Sequence, residues 1–142
     1  MDLRDGPLEA VFRARVRAWM AERLTPVSAN PRVAARDLDA ARAWSKEMHQ
    51  AGFAGLTWPV EYGGQGRPIA FEAIYLEEAA RAGAPEHIGV IGLGMVGPTI
   101  LAHGTSEQKA TYLPRILSGD TMFCLGLSEP EAGSDLASVR TR

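Results

Sequence analysis

Apolar residues recur along this chain at three- and four-residue steps in three separate stretches, and each predicts a helix. Over residues 8–24, Leu8, Val11, Phe12, Val16, Trp19, Met20 and Leu24 form one face and Arg13, Arg17 and Glu22 the other. Pro26 discourages continuation, and Pro26 to Pro31 reads as a connector. A second helix is predicted from an Asp37 N-cap to about Ala51, with Gly52 as its stop and Leu38, Ala41, Trp44, Ser45 and Met48 as its inner stripe. A third opens at Pro68 and runs to about Ala82, burying Phe71, Ile74, Tyr75 and Ala79.

Between the second and third helices stands "GLTWPVEYGGQGRP", Gly55 to Pro68. Its glycines lack a preceding strand and the Gly-Lys-Ser/Thr ending of a phosphate loop, so it reads as a tight turn packed by Trp58 and Tyr62. The next segment, His87 to Gly104, is apolar on nearly every side and is expected to be a central, buried helix. Each of its glycines costs about 1 kcal/mol of helix propensity, a cost that close approach of a neighbouring helix or a ligand would justify. Pro98 should kink or break it. Thr105-Ser106-Glu107-Gln108 is a capping box for a last helix that carries Tyr112, Leu113, Ile116 and Leu117, contains Pro114 and ends near Gly119. After Asp120 the period changes, and Thr121 to Leu127 reads as a strand. The chain thus divides into an all-α domain of five to six helices over residues 1–119 and the first strand of an incomplete β domain over 120–142. A lone strand leaves its ladder groups unpaired, so completion by residues outside this sequence is expected.

Composition narrows the functional classes. The 142 residues carry 46% hydrophobic and 23% charged side chains, in the range of a single globular domain. A net charge of −2 argues against binding nucleic acid through phosphate contacts. The one cysteine, Cys124, can make no intrachain disulfide, so a reducing cytoplasm is the expected location. The longest apolar stretch, Ile88 to Ala102, is interrupted by glycines and is shorter than the roughly 20 residues a membrane span needs.

Most charged and polar candidates have plain readings. Arg13, Arg15, Arg17 and Arg23 fit a solvated helix face, Glu77 and Glu78 exposed helix carboxylates, and His49 a helix terminus. No cluster has metal-ligand spacing. The closing "SEPEAGSD" differs: Ser128, Ser134 and neighbouring N–H groups are neutral donors beside Gly133, which suits a pyrophosphate or the polar edge of a flavin. An ordinary turn is the competing reading. Neither serine has a neighbouring histidine base, so a nucleophilic role is not supported.

Three segments resemble the acyl-CoA dehydrogenase family in order and spacing. "GLSEPEAGSDLAS" (126–138) resembles its flavin-loop signature, "GFAGLTWPVEYGGQG" (52–66) its early turn, and "AHGTSEQKATYLPRILSG" (102–119) the helical segment before its middle domain. The resemblance implies an orthogonal bundle of helices followed by a middle β domain and a C-terminal helical domain, usually in a homo- or hetero-tetramer. It implies FAD as cofactor, with Leu125, Leu127 and Ser128 along the flavin ring and Gly133 and Ser134 near the pyrophosphate. Ser134 would also border the acyl-CoA pantetheine, and Ile88, Ile91 and Met95, on one helix face, would wall the acyl group. The implied reaction removes an α-proton from an acyl-CoA thioester and passes a hydride from its β-carbon to flavin N5, with an electron-transfer flavoprotein as acceptor. The family's catalytic carboxylate lies in the C-terminal domain, so no residue of 1–142 is assigned as base, and residues 1–142 alone are expected to be inactive. An acyl-CoA oxidase or flavin-dependent monooxygenase of the same fold, and a non-catalytic helical assembly subunit, are the alternatives.

Overall fold

The computed structural model describes residues 4–24 and 37–141; the expected connector Pro26–Pro31 lies outside them. Among the described residues are five α-helices: α1 (Pro7–Arg23), α2 (Leu38–Gln50), α3 (Ile69–Ala82), α4 (Gly97–His103) and α5 (Ser106–Leu117). A π-helical turn, Gly92–Val96, leads directly into α4. None of the helices is long and apolar enough to cross a membrane.

Local chemistry sets the helix ends. Asp37 Oδ1 accepts the N–H groups of Asp39 and Ala40 at 3.1 and 3.0 Å and caps α2. Gly52, just beyond α2, has φ +74°, a left-handed conformation that favours glycine. At α5 the capping box closes in both directions: Gln108 N–H donates to Thr105 Oγ1 at 3.2 Å, and Thr105 N–H to Gln108 Oε1 at 2.8 Å. Pro114 lies inside α5 near its C-terminal end, and the helix runs on to Leu117.

The core is aromatic. Phe12 of α1 meets Phe71 of α3 edge-on at 5.0 Å, and Phe53, in the turn after α2, packs against Trp19 at 5.0 Å and Tyr75 at 5.5 Å. Leu113, Ile116 and Leu117 of α5 are fully buried against this cluster. α5 is therefore central, and the turn 53–66 wraps its end: a Cβ on Gly55 would fall 2.4 Å from Leu117 Cδ2.

Several expectations are corrected. Leu8 and Val11 are 75% and 70% exposed, so the buried stripe of α1 narrows to Phe12, Val16, Trp19 and Met20; Leu38 is likewise exposed at the start of α2. The glycine-rich segment is not buried all round, because Val90 and Met95 are about half exposed. Only one side of it packs, where Gly92 faces Ile116 and Phe123 and Gly97 faces Trp58. Thr121–Leu127 forms no strand among the described residues, where the single bridge joins Glu129 and Ala132. With no neighbouring strand to pair with, the segment cannot build a ladder.

Candidate functional site

Two regions carry chemistry: the loop after α5 and a groove beside the glycine-rich segment. The loop is anchored at its base, where Thr121 N–H donates to Arg115 O at 3.1 Å and the Phe123 ring meets Tyr112 at 6.3 Å. Beyond Phe123 it stands open to solvent: Leu125 and Leu127 are 46% and 60% exposed. A tight turn follows, in which Glu129 and Ala132 exchange backbone hydrogen bonds at 2.8 and 3.1 Å and Ala132 is buried.

The Glu129 carboxylate holds the two ends of this loop together. It accepts the Arg140 N–H at 3.0 Å, the Thr141 N–H at 2.6 Å and the Thr141 hydroxyl. The Thr141 hydroxyl and these two N–H groups keep its carboxyl below the usual carboxylate range. Glu129 is thereby committed to loop closure. Ser128 and Ser134 are exposed, and neither hydroxyl bonds to another described residue. A Cβ added at Gly133 would meet nothing within 4 Å. Five exposed groups, two apolar and three polar or bare, thus stand along this loop.

The groove has a volume of about 470 Å³ and runs between α3 and the glycine-rich segment. Phe53, Trp58 and Tyr75 supply aromatic surface, Leu76 and Ala79 line it from α3, and Val90, Leu93 and Gly94 line it from the other side. Ile88, Ile91 and Met95 do not line it; they lie on other faces of the segment. Its polar members are Thr57, Glu72, Glu86 and His87.

His87 is buried and its ring is fixed at both nitrogens. Nδ1 accepts the Gly89 N–H at 3.0 Å, so Nε2 is the donor to Leu117 O at 3.1 Å. Burial moves the His87 imidazole below its ordinary range and favours this neutral form. Ser45, fully buried on α2, accepts the Ile88 N–H at 2.8 Å and donates to Ala41 O at 2.8 Å. Together His87 and Ser45 pin the entry of the glycine-rich segment to α5 and α2.

A third concentration of charge is structural. Glu78, only 4% exposed, takes hydrogen bonds from Arg17 at 2.6 and 3.0 Å, Arg13 at 2.6 Å and Arg81 at 3.1 Å. These hydrogen bonds, led by those from Arg17, hold its carboxyl down at about 2. The expectations of a solvated arginine face and partnerless carboxylates are therefore corrected for Arg13, Arg17, Glu77 and Glu78. Their side chains meet because α1 packs along α3. The shallow cavity at this spot offers no spare cation, since Arg17 and Arg81 are both engaged by Glu78. Among the described residues no His, Cys, Asp and Glu group could hold a metal ion.

Sequence reasoning missed the groove-lining Val90, Leu93 and Gly94 because a segment apolar on every side does not announce which face stays open. It missed Glu78 because its α1 partners lie 61 and 65 residues away.

The helical domain defines the class: residues 7–120 match the family described as acyl-CoA dehydrogenase, N-terminal domain, and the chain belongs to that family. Among curated relatives it is 41% identical over 136 residues to acyl-CoA dehydrogenase IpdE1 of Mycolicibacterium smegmatis, covering 92% of this chain and 35% of that protein. Among solved structures it superposes on the ChsE4-ChsE5 complex from Mycobacterium tuberculosis with TM-score 0.81 and 41% identity, covering 99% of this chain and 35% of that one. The Tcur3481-Tcur3483 steroid ACAD gives TM-score 0.82 and 42% identity over all of this chain and 37% of the other. A glutaryl-CoA dehydrogenase from Mycobacterium smegmatis in complex with FADH2 gives 0.67 and 26%, covering 96% of this chain and 35% of that one. The chain spans about a third of the length of these relatives.

Proposed function

We propose that this chain is the N-terminal part of a FAD-dependent acyl-CoA dehydrogenase, active only together with residues outside 1–142. The helical domain is residues 1–119, and 120–142 begin the middle β domain. The observation that carries the reading is the exposed loop 125–134, with its unengaged hydroxyls, open glycine and outward leucines on a chain of this family.

Leu125 and Leu127 would hold the flavin ring by apolar contact and Ser128 would donate to its polar edge. Gly133 would allow backbone approach to the pyrophosphate, with Ser134 as a donor shared with the pantetheine. FAD supplies a hydride acceptor for the acyl β-carbon. Ile88, Ile91 and Met95 would wall the acyl group and keep water from it. The base that takes the α-proton is assigned outside this chain, since Glu129 is tied into loop closure and Glu78 into its arginine cluster.

The relative named as a steroid ACAD supports a bulky, ring-bearing acyl group on the CoA thioester. The two heteromeric relatives support assembly with a second acyl-CoA dehydrogenase subunit into a hetero-oligomer. An electron-transfer flavoprotein is the proposed acceptor and the cytoplasm the proposed location, where the exposed Cys124 thiol stays reduced.

The test is to purify the complete enzyme, with any partner subunit, and assay reduction of an artificial electron acceptor across short, branched and steroid acyl-CoA thioesters. Bound FAD and thioester-dependent reduction are expected. Absence of reduction with every thioester overturns the reading. Residues 1–142 alone are expected to purify without flavin, and flavin-bound, active 1–142 would overturn that part.

A further inference from the structure

We propose that the groove between α3 and the glycine-rich segment is a second acyl subsite that receives the distal, uncharged, ring-bearing end of the acyl group, with Glu72 accepting a hydrogen bond from a ring hydroxyl. The inference rests on the acyl-CoA reading and adds to it a site on a different face of the segment from Ile88, Ile91 and Met95.

Size, shape and charge select this occupant. The volume of about 470 Å³ falls within the range of about 300–1,000 Å³ typical of small-molecule sites. Phe53 and Tyr75 stack with their ring planes 27° apart, and Trp58 is held against Gly97, so the aromatic surfaces are flat and fixed. Such surfaces favour a rigid ring system, which loses little conformational entropy on binding. No lysine or arginine lines the groove, whereas Glu72 and Glu86 do, so a phosphate or carboxylate is repelled and a neutral end is accepted.

The acceptor that matters here is the Glu72 carboxylate. Thr57 Oγ1 donates to Glu72 Oε2 at 3.1 Å, which leaves Glu72 Oε1 without a partner among the described residues. His87 has both nitrogens engaged and offers no further hydrogen bond. A hydroxyl donor is the neutral group that matches Glu72. Gly94 leaves the groove open at its other side: a Cβ there would meet nothing within 4 Å.

The test compares kcat/KM of the complete enzyme for a hydroxylated steroid acyl-CoA, its deoxy analogue and butyryl-CoA. Gly94→Leu, which fills the groove, is expected to lower the steroid-to-butyryl ratio at least tenfold. Glu72→Gln is expected to lower the hydroxylated-to-deoxy ratio several-fold. If Gly94→Leu does not accumulate as folded enzyme, Leu76→Trp narrows the groove from α3 with the same expected outcome. Turnover with all ratios unchanged overturns this inference and leaves the acyl-CoA reading standing, as does a complete-enzyme structure with a protein helix seated in the groove. Failure to turn over any thioester overturns the reading itself, and the inference with it.

Discussion

Gly97 rests directly on the indole of Trp58: a Cβ built there would lie 2.1 Å from Cη2 and 2.2 Å from Cζ2. Trp58 is buried in the turn after α2 and packed on the groove wall, so making room means moving the whole ring from its packed position. Gly97→Ala is therefore a conflict between two effects. Alanine gains about 1 kcal/mol of helix propensity, while overpacking costs about 1–3 kcal/mol and often more where a ring must move. Overpacking wins, and urea denaturation should show a net loss of roughly 1–2 kcal/mol. Gly94→Ala, with nothing near its Cβ, should instead be neutral or stabilising by up to about 1 kcal/mol. Equal effects from the two substitutions would contradict this geometry.

These two glycines also show what the sequence could and could not announce. Their helix-propensity cost marked the segment as one where something comes close, and at Gly97 that is so. Gly94 carries the same letter in an open position, and only the packed neighbours tell them apart. Asp37 and the Thr105–Gln108 box were legible because a cap and its partner lie within three residues. Glu78 and Arg17 were not, because their meeting depends on how α1 lies along α3. The segment after Asp120 has strand-like composition, but a strand is a property of pairs, and its second member is not among these residues. The loop 125–134 was legible as a motif, whereas the role of Glu129 in closing it depends on Thr141 folding back.

Glu78 should make stability pH-dependent in acid. Its folded carboxyl sits at about 2, against an ordinary 4.5, so the unfolded chain binds the proton more readily between those values. Its contribution is complete above about pH 5 and is lost as pH falls toward 2. Glu78→Gln should remove that part of the slope. It should also cost about 2–4 kcal/mol at neutral pH, toward the low side of a buried ion pair because Arg17 is half exposed. A variant whose acid unfolding curve matches wild type would refute the assignment.

Ser45→Ala tests the pin at the entry of the glycine-rich segment. The Ser45 hydroxyl is the acceptor for the Ile88 N–H, and removing it strands that N–H beside a fully buried site. A loss of about 1–3 kcal/mol is expected, most of it the cost of an unsatisfied buried donor. Hydrogen exchange should speed at Ile88 and Gly89 before it does at Leu113. Unaltered exchange at Ile88 would show that the hydroxyl is dispensable.

His87 predicts a second pH window above that of Glu78. Its folded imidazole titrates below the ordinary 6.5, so the unfolded chain takes up the proton first and stability falls as pH drops below about 6.5. Protonated Nδ1 can no longer accept the Gly89 N–H. His49 shifts in the same direction through burial, opposed by Asp120, so the slope belongs to both histidines. His87→Gln, which can still donate to Leu117 O, should flatten the profile below about pH 6.5 while retaining part of the neutral-pH stability. A profile identical to wild type would assign the whole slope to His49.

Gly133 separates a folding role from a binding role. A side chain there meets no atom of this chain within 4 Å, and its φ is not in the left-handed range, so Gly133→Val should leave the unfolding midpoint of residues 1–142 unchanged. In the complete enzyme the valine would occupy the space through which the backbone reaches the FAD pyrophosphate. The expected result is at least a tenfold weaker hold on FAD, measured by flavin absorbance after gel filtration, with assembly intact. Ser128→Ala should act more mildly, losing one neutral hydrogen bond worth about 0.5–1.5 kcal/mol, roughly two- to tenfold in affinity. Full flavin retention in Gly133→Val would remove this loop from the FAD site, whatever the reaction proves to be.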